Sequence, residues 1–281
     1  MKVNSSHKLL GSNNNLVPFV TSPNKGGALA DGGVPKFLIV HYTAGATADG
    51  AIGWFKNPDS KASAHLVIAK NGDITQMVPF NTIAWHAGRS KWKTIEGLNA
   101  HSVGIEIVNW GLMRGSSGNW RSWTGSPVVD SRVVQAKHKN FEPDKVHGWE
   151  IFDEAQLEAT ILAAAAIVAK YGIPEHNVLG HDDISPGRKQ DPGPAFPMSS
   201  FKAKVFGRSE MTGLVMKVVS ATGLNLRTGP GTNFPVVENL DDGRRVVAMG
   251  RDGVWWEVTT LNAAGDEDKS GWVHGNWLVE V

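Results

Sequence analysis

Apolar and polar positions change rhythm several times along the chain. Residues 1–33 have no rhythm. They are rich in Asn, Ser and Gly and predict an extended N-terminal lead-in. Phe-Leu-Ile-Val follows at 37–40, a continuous apolar run of the kind found in a strand buried on both faces. His41 stands where that run ends. Residues 46–55 predict a short helix stopped near Asn57-Pro58. Residues 64–69 and 74–78 predict two strands joined by a tight hairpin turn at Asn71-Gly72. Residues 103–108 predict another strand.

The rhythm is lost again over 111–150, a Gly-, Ser-, Trp- and His-rich insertion. Insertions of that length are usually functional or mobile. Residues 153–171 carry the strongest helical signal, with Asp153 to cap the start and Gly172 and Pro174 to end it. Then comes GHDDISPGRKQDPG at 180–193, where two prolines and their following glycines break helical and strand patterns alike. It predicts an irregular loop. Strands separated by helices predict an α/β domain, a mixed central β-sheet flanked by helices. Beyond it, 197–212 reads as a linker. The remaining short β-rich runs, with turns at Gly229-Pro230-Gly231, Asp242-Gly243 and Asp252-Gly253, predict a small all-β barrel. The expected division is a lead-in at 1–33, an α/β domain at 34–196, a linker at 197–212 and a barrel at 213–281.

Composition sharpens this in five ways. The chain is 41% hydrophobic and 20% charged, which suits a globular protein with one large and one small core. A net charge of +1 gives no broad basic field for nucleic acid. Cysteine is absent, so any metal must be held by His and carboxylate. No apolar run is long enough to span a bilayer, and MKVNSSHKLLGSNNNLVPF lacks the apolar core of a standard signal peptide. Work outside the cytoplasm would then need another delivery route. Tryptophan outnumbers tyrosine by 11 to 2, which serves either core packing or surfaces that stack on carbohydrate.

The candidate chemistry centres on His41, His181 and Asp191. Two imidazoles and one carboxylate form a donor set for a catalytic zinc, with a fourth position left for water or substrate. The plainer alternative is a packed histidine and a polar loop, and spacing alone does not choose between them.

A resemblance does. Ser22-Pro23-Asn24, FLIVHYTAG (37–45), SAHLVIAKNGDITQMVPF (63–80), AWHAG (84–88), SVGIEIVN (102–109) and GHDDISPGRKQDPG occur in order. Together they resemble the zinc-dependent N-acetylmuramoyl-L-alanine amidases, in particular the AmpD-like branch of the amidase_2 family. That family is related to phage amidase lysozymes and peptidoglycan recognition proteins. The resemblance covers roughly residues 20–200. It implies His41, His181 and Asp191 as ligands of one Zn2+, Glu106 as the catalytic carboxylate and Lys189 as the catalytic lysine. On residue type alone, Glu106 would be a sheet-face partner of a Lys or Arg, and Lys189 a solvated loop lysine. His86 and Trp85 are expected near substrate. His65 is expected near the cleft as a further substrate contact, though mainly in a structural or supporting role. Asp182 and Asp183 are expected to orient the loop or hold a histidine N–H. His101, His138, His147 and His176 are expected on the surface, the middle two within possible reach of substrate.

The C-terminal stretches GLNLRTGPGTNFPVVENL (223–240), WWEV (255–258) and GWVHGNWL (271–278) resemble a bacterial SH3 (SH3b) domain. The resemblance implies binding to wall stem peptide or cross-bridge; a purely stabilising barrel is the alternative. Trp255, Trp256, Trp272 and Trp277 are expected to be a mixture of core and binding face, and residues 260–270 hold an acidic insertion. The whole then reads as a peptidoglycan hydrolase acting at the cell wall, in the periplasm or outside the cell. It would cut between N-acetylmuramic acid and L-alanine. One alternative is a recognition protein that binds peptidoglycan without cutting. Another is a secreted antibacterial effector with the same chemistry, which would add an immunity protein.

Overall fold

The apolar run at 37–40 becomes the middle of a sheet. The structure is a computed structural model, and it describes residues 1–206, 214–252, 254–262, 265 and 267–281. The chain divides into two units, Met1–Met198 and Ser199–Val281.

In the first unit, β1 (Phe37–Tyr42) is followed by helix α1 (Ala48–Lys56) and the hairpin β2 (Leu66–Ile68) and β3 (Ile74–Gln76). Then come β4 (Ser102–Ile107), helix α2 (Glu154–Tyr171), β5 (Val178–Gly180) and the single turn α3 (His181–Ile184). The sheet order is β5–β1–β4–β2–β3. The first four strands are parallel and β3 is antiparallel, so the sheet is mixed.

Both faces of β1 are covered, which is why its sequence does not alternate. Phe37 and Ile39 lie on one face and pack with Ala87, Leu98, Leu179 and Ile184. Burying a side chain the size of Ile39 contributes about 2 kcal/mol. Helix α1 starts on Thr47, whose hydroxyl accepts from the Gly50 N–H, and stops before Pro58. Helix α2 is capped where Gln156 accepts from the Asp153 N–H at 2.7 Å. It ends at Gly172, whose φ of 66° suits the residue without a Cβ.

Four expectations need correction. Residues 1–33 are not an extended lead-in. They form short strands at Lys2–Val3, Leu9–Leu10 and Lys25–Ala28, and Val3, Leu9 and Leu29 are buried. Side-chain amides hold them: Gln76 accepts from the Leu9 N–H, and the Asn24 amide donates to the Asn57 carbonyl. Single buried apolar residues tied by such bonds leave no periodic trace. The 111–150 insertion is ordered by two hairpins, Trp120–Arg121 with Pro127–Val128 and Val133–Lys137 with Val146–Glu150. Its strands are short and do not alternate. The 180–193 stretch is not loop throughout. Gly180 closes β5, and His181–Ile184 form a turn whose Asp183 carboxylate accepts from the Gly180 N–H. The expected linker begins with a helix, α4 (Met198–Val205), which buries Phe201, Ala203 and Val205. Residues 207–212 of that linker lie outside the described residues. So do Gly253 of an expected turn and residues 263, 264 and 266 of the acidic insertion.

Among its described residues beyond α4 the second unit is built of strands, with one helical turn at Gly275–Trp277. Strands β6 (Val215–Val218), β7 (Leu224–Arg227), β8 (Val236–Leu240), β9 (Arg245–Asp252), β10 (Trp255–Leu261), β11 (Glu267–His274) and β12 (Leu278–Glu280) run in the order β8–β7–β11–β10–β9–β6–β12. Every pairing is antiparallel. Leu226, Val246, Val258 and Val273 form its core with Trp256, while Trp277 is half exposed.

Candidate metal-binding active site

The site grows out of the C-terminal end of β1. Strand pleating puts Phe37, Ile39 and His41 on one face. The first two are core, and the third ends the row as a buried imidazole. On one side β5 pairs Gly180 with Val40, so the chain turns into α3 level with His41. His181 is the first residue of that turn. The loop then bends through Pro186 and Gly187 and returns, held where the Asp182 N–H donates to the Asp191 carbonyl at 2.8 Å. This return delivers the Asp191 carboxylate to the two histidines.

The three groups converge closely. His41 Nδ1, His181 Nδ1 and Asp191 Oδ2 are each 2.9 Å from the other two. All three residues are buried, and they are the one such ligand group among the described residues. His181 Nε2 lies 3.0 Å from the Ala87 carbonyl, which can only accept, so in the neutral ring Nδ1 carries the lone pair. Burial above all, then the neighbouring His181, lowers the His41 pKa to about 4. His41 is therefore neutral near pH 7. Neutral imidazole nitrogens and a carboxylate oxygen packed this closely repel unless a cation lies among them. The donor set fits a divalent metal ion.

Above this centre opens a cavity of about 610 Å³. Glu106 and Lys189 line it beside His181 and Asp191. Glu106 comes from β4, where it pairs in register with His41. Its Oε2 is buried with no hydrogen-bond partner among the described residues. Burial, and then the charge of Asp191, raise its pKa well above the ordinary carboxylate value, with Lys189 opposing. Trp54, Trp85 and Trp123 stand in the same wall. Trp123 belongs to the insertion; its indole N–H donates to the Ala44 carbonyl at 2.6 Å, yet the residue stays 55% exposed.

The structure thus brings together His41, His181, Asp191, Glu106, Lys189 and Trp85, all singled out from sequence. Two histidines behave differently. His86 reaches the cavity wall but is buried, and its ring nitrogens face His41 and Ser102. His65 is fully buried: Nδ1 accepts from the Gly104 N–H and Nε2 donates to the Thr82 carbonyl. It ties strands together and has no nitrogen left for substrate. His138 corrects the surface expectation. It is buried, stacked on Trp149, with Nδ1 accepting from the Asn140 and Phe141 N–H groups. Its Nε2 therefore donates to the Gln190 carbonyl at 3.0 Å, and the Asp182 carboxylate lies 3.1 Å from the same nitrogen. Lys139 adds ion pairs to Asp182 and Asp183. Burial raises the Asp182 pKa to about 7, against the pull of Lys139. The insertion therefore grips the ligand loop, a role no spacing rule reveals. His176 is exposed, and His101 and His147 are half-buried.

Comparison with known proteins agrees with this geometry. A family model described as N-acetylmuramoyl-L-alanine amidase matches residues 31–194, and one described as bacterial SH3 domain matches 222–279. The chain is 35% identical over 179 residues to N-acetylmuramoyl-L-alanine amidase AmiD of Escherichia coli (strain K12), covering 61% of this chain and 54% of AmiD. It is 29% identical over 154 residues to 1,6-anhydro-N-acetylmuramyl-L-alanine amidase AmpD of Citrobacter freundii, covering 54% of this chain and 63% of AmpD. The match therefore spans less than two thirds of either relative. A crystal structure of a selenomethionine AmpD derivative superposes with a TM-score of 0.51 at 24% identity, over 73% of this chain and 99% of that one, a likeness of fold.

Proposed function

The chain belongs to the N-acetylmuramoyl-L-alanine amidase family, and we propose that it hydrolyses the amide between the lactyl group of N-acetylmuramic acid and L-alanine of the peptidoglycan stem peptide. The observation that carries the reading is a buried His-His-Asp group opening on a cavity that holds an unpartnered carboxylate and a lysine. His41, His181 and Asp191 would hold one zinc ion. When bound, zinc polarises the scissile carbonyl and lowers the pKa of water.

The protein's own groups do the rest. Glu106 takes a proton from the attacking water and passes it to the leaving amine nitrogen, so the water's hydroxyl ends on the carbonyl carbon. The raised pKa of Glu106 suits a group that must both accept and return a proton near neutral pH. Lys189 places its ammonium where negative charge develops on the carbonyl oxygen. His138 and Lys139 keep the loop that carries Lys189 and Asp191 in place.

The bacterial SH3 unit supports a polymeric substrate. It carries a hollow of about 300 Å³ lined by Arg227, Trp255, His274 and Trp277. Binding of stem peptide or cross-bridge there would raise the local concentration of the hydrolase on the wall. The place of action is the cell wall, in the periplasm or outside the cell.

The test is incubation of the protein with intact peptidoglycan sacculi, with and without a chelator, followed by mass spectrometry. Chelator-sensitive release of peptides with free N-terminal L-alanine, from uncut glycan strands, is expected. Tight binding without new amino termini would replace this reading with non-cutting recognition.

A further inference from the structure

We infer that His86, Ser102 and Gly104 are positioning residues that decide which nitrogen of His41 faces the metal centre. The inference rests on the metal-centre reading above and adds to it. Ser102, Gly104 and Glu106 alternate on β4, so they share one face of the sheet. Their register partners on β1 are Phe37, Ile39 and His41.

The protons along this face can be assigned one by one. The Leu98 carbonyl has no proton to give. It lies 2.6 Å from Ser102 Oγ, so the Ser102 hydroxyl donates to it. Ser102 Oγ then presents a lone pair to His86 Nε2 at 3.1 Å, and that nitrogen carries the ring proton. His86 Nδ1 is left bare, 3.0 Å from His41 Nε2, so His41 Nε2 is the protonated nitrogen. His41 Nδ1 is consequently bare, and it is the atom that lies 2.9 Å from both His181 Nδ1 and Asp191 Oδ2. Reversing the tautomers would leave the Leu98 carbonyl facing a hydroxyl lone pair. One backbone oxygen at the far end of the chain therefore keeps the His41 lone pair on the metal side.

Gly104 makes room for this arrangement. A Cβ there would sit 2.4 Å from His86 Cγ and 2.5 Å from Nδ1. The glycine is needed for space, since a side chain there would occupy the place of the His86 ring. The backbone of the His86 segment is fixed as well: the His86 and Ala87 N–H groups both donate to Asn99 Oδ1, at 3.0 and 2.7 Å. His86 thus has its ring, its backbone and its floor all determined, and both nitrogens spent on orienting His41.

The experiment compares the zinc affinity of the full chain, by competition with a chromophoric chelator, with thermal unfolding of the metal-free protein. Ser102→Ala and His86→Leu are expected to weaken zinc binding about 10- to 100-fold. Gly104→Ala, which displaces the ring, should weaken it too. His86→Asn, whose amide oxygen can replace the Nδ1 acceptor, should recover most of the affinity lost in His86→Leu. Ser102→Ala carries the test if His86→Leu does not fold. Wild-type zinc affinity in folded Ser102→Ala overturns the inference, as does equal loss in His86→Asn and His86→Leu. A wild-type chain that takes up no zinc would overturn the metal-centre reading along with it.

Discussion

Glu106 and His41 are register partners on adjacent parallel strands, so the candidate proton carrier and the first metal ligand leave the sheet side by side on the same face. The spacing between them is set by the ladder and does not depend on a mobile loop. Glu106→Gln preserves size and removes the proton acceptor. It should lower kcat by about 10²- to 10⁴-fold while zinc content stays at the wild-type level. The check is release of free N-terminal L-alanine alongside metal analysis. Near-wild-type turnover would remove Glu106 from the chemistry.

Trp123 is an exposed ring held by its own N–H. A ring fixed at the rim of a cleft favours stacking on substrate over chemistry. Trp123→Ala should raise KM severalfold and leave kcat nearly unchanged, the loss of an aromatic contact worth about 1 kcal/mol. Steady-state kinetics on a soluble muropeptide separates the two parameters.

His138→Leu removes the donor to the Gln190 carbonyl from a buried position. Leaving that carbonyl without its donor should cost about 1–3 kcal/mol. The effect should appear as a lower unfolding temperature of the metal-free protein and as weaker zinc binding, because the loop it grips carries two of the three ligands. A variant as stable as wild type would show that the insertion does not brace the loop.

Much of this was legible in the chain itself. The run at 37–40 announced a buried strand because it was covered on both faces, and the prolines and glycines after His181 announced a turn because nothing else tolerates them. Glu106 was legible only through a resemblance, since an acid in an apolar strand looks the same whether it pairs with a lysine or waits for a proton. Ser102 and Gly104 could have been found by reading 102–106 as an alternating face ending on Glu106. His138 could not. Its burial depends on Trp149 and on a loop more than forty residues further on, contacts that leave no local period.

The buried His65 makes stability depend on pH. Burial chiefly, against the Thr82 carbonyl, lowers its pKa from 6.5 to about 4. Its Nδ1 already accepts the Gly104 N–H, so a second proton there breaks that bond. The unfolded chain takes up the proton first. The contribution is therefore complete above pH 6.5 and is lost as pH falls towards 4, on the order of 3 kcal/mol. Denaturant unfolding of the metal-free protein at both ends of that window should show the loss. His65→Asn should reduce it without abolishing it, because His41 and His86 are shifted in the same direction. An unchanged slope in the variant would exonerate His65.

The position of β5 also sets an order of events during synthesis. His41 and His181 are 140 positions apart, and β1 takes β5 as a neighbour only after residues 178–180 have left the ribosome. A growing chain that has reached only the insertion holds His41 and Glu106 on a sheet whose next strand is still missing. It has one of three ligands and no Lys189. The three-ligand set is thus complete only when nearly all of the first unit has been made.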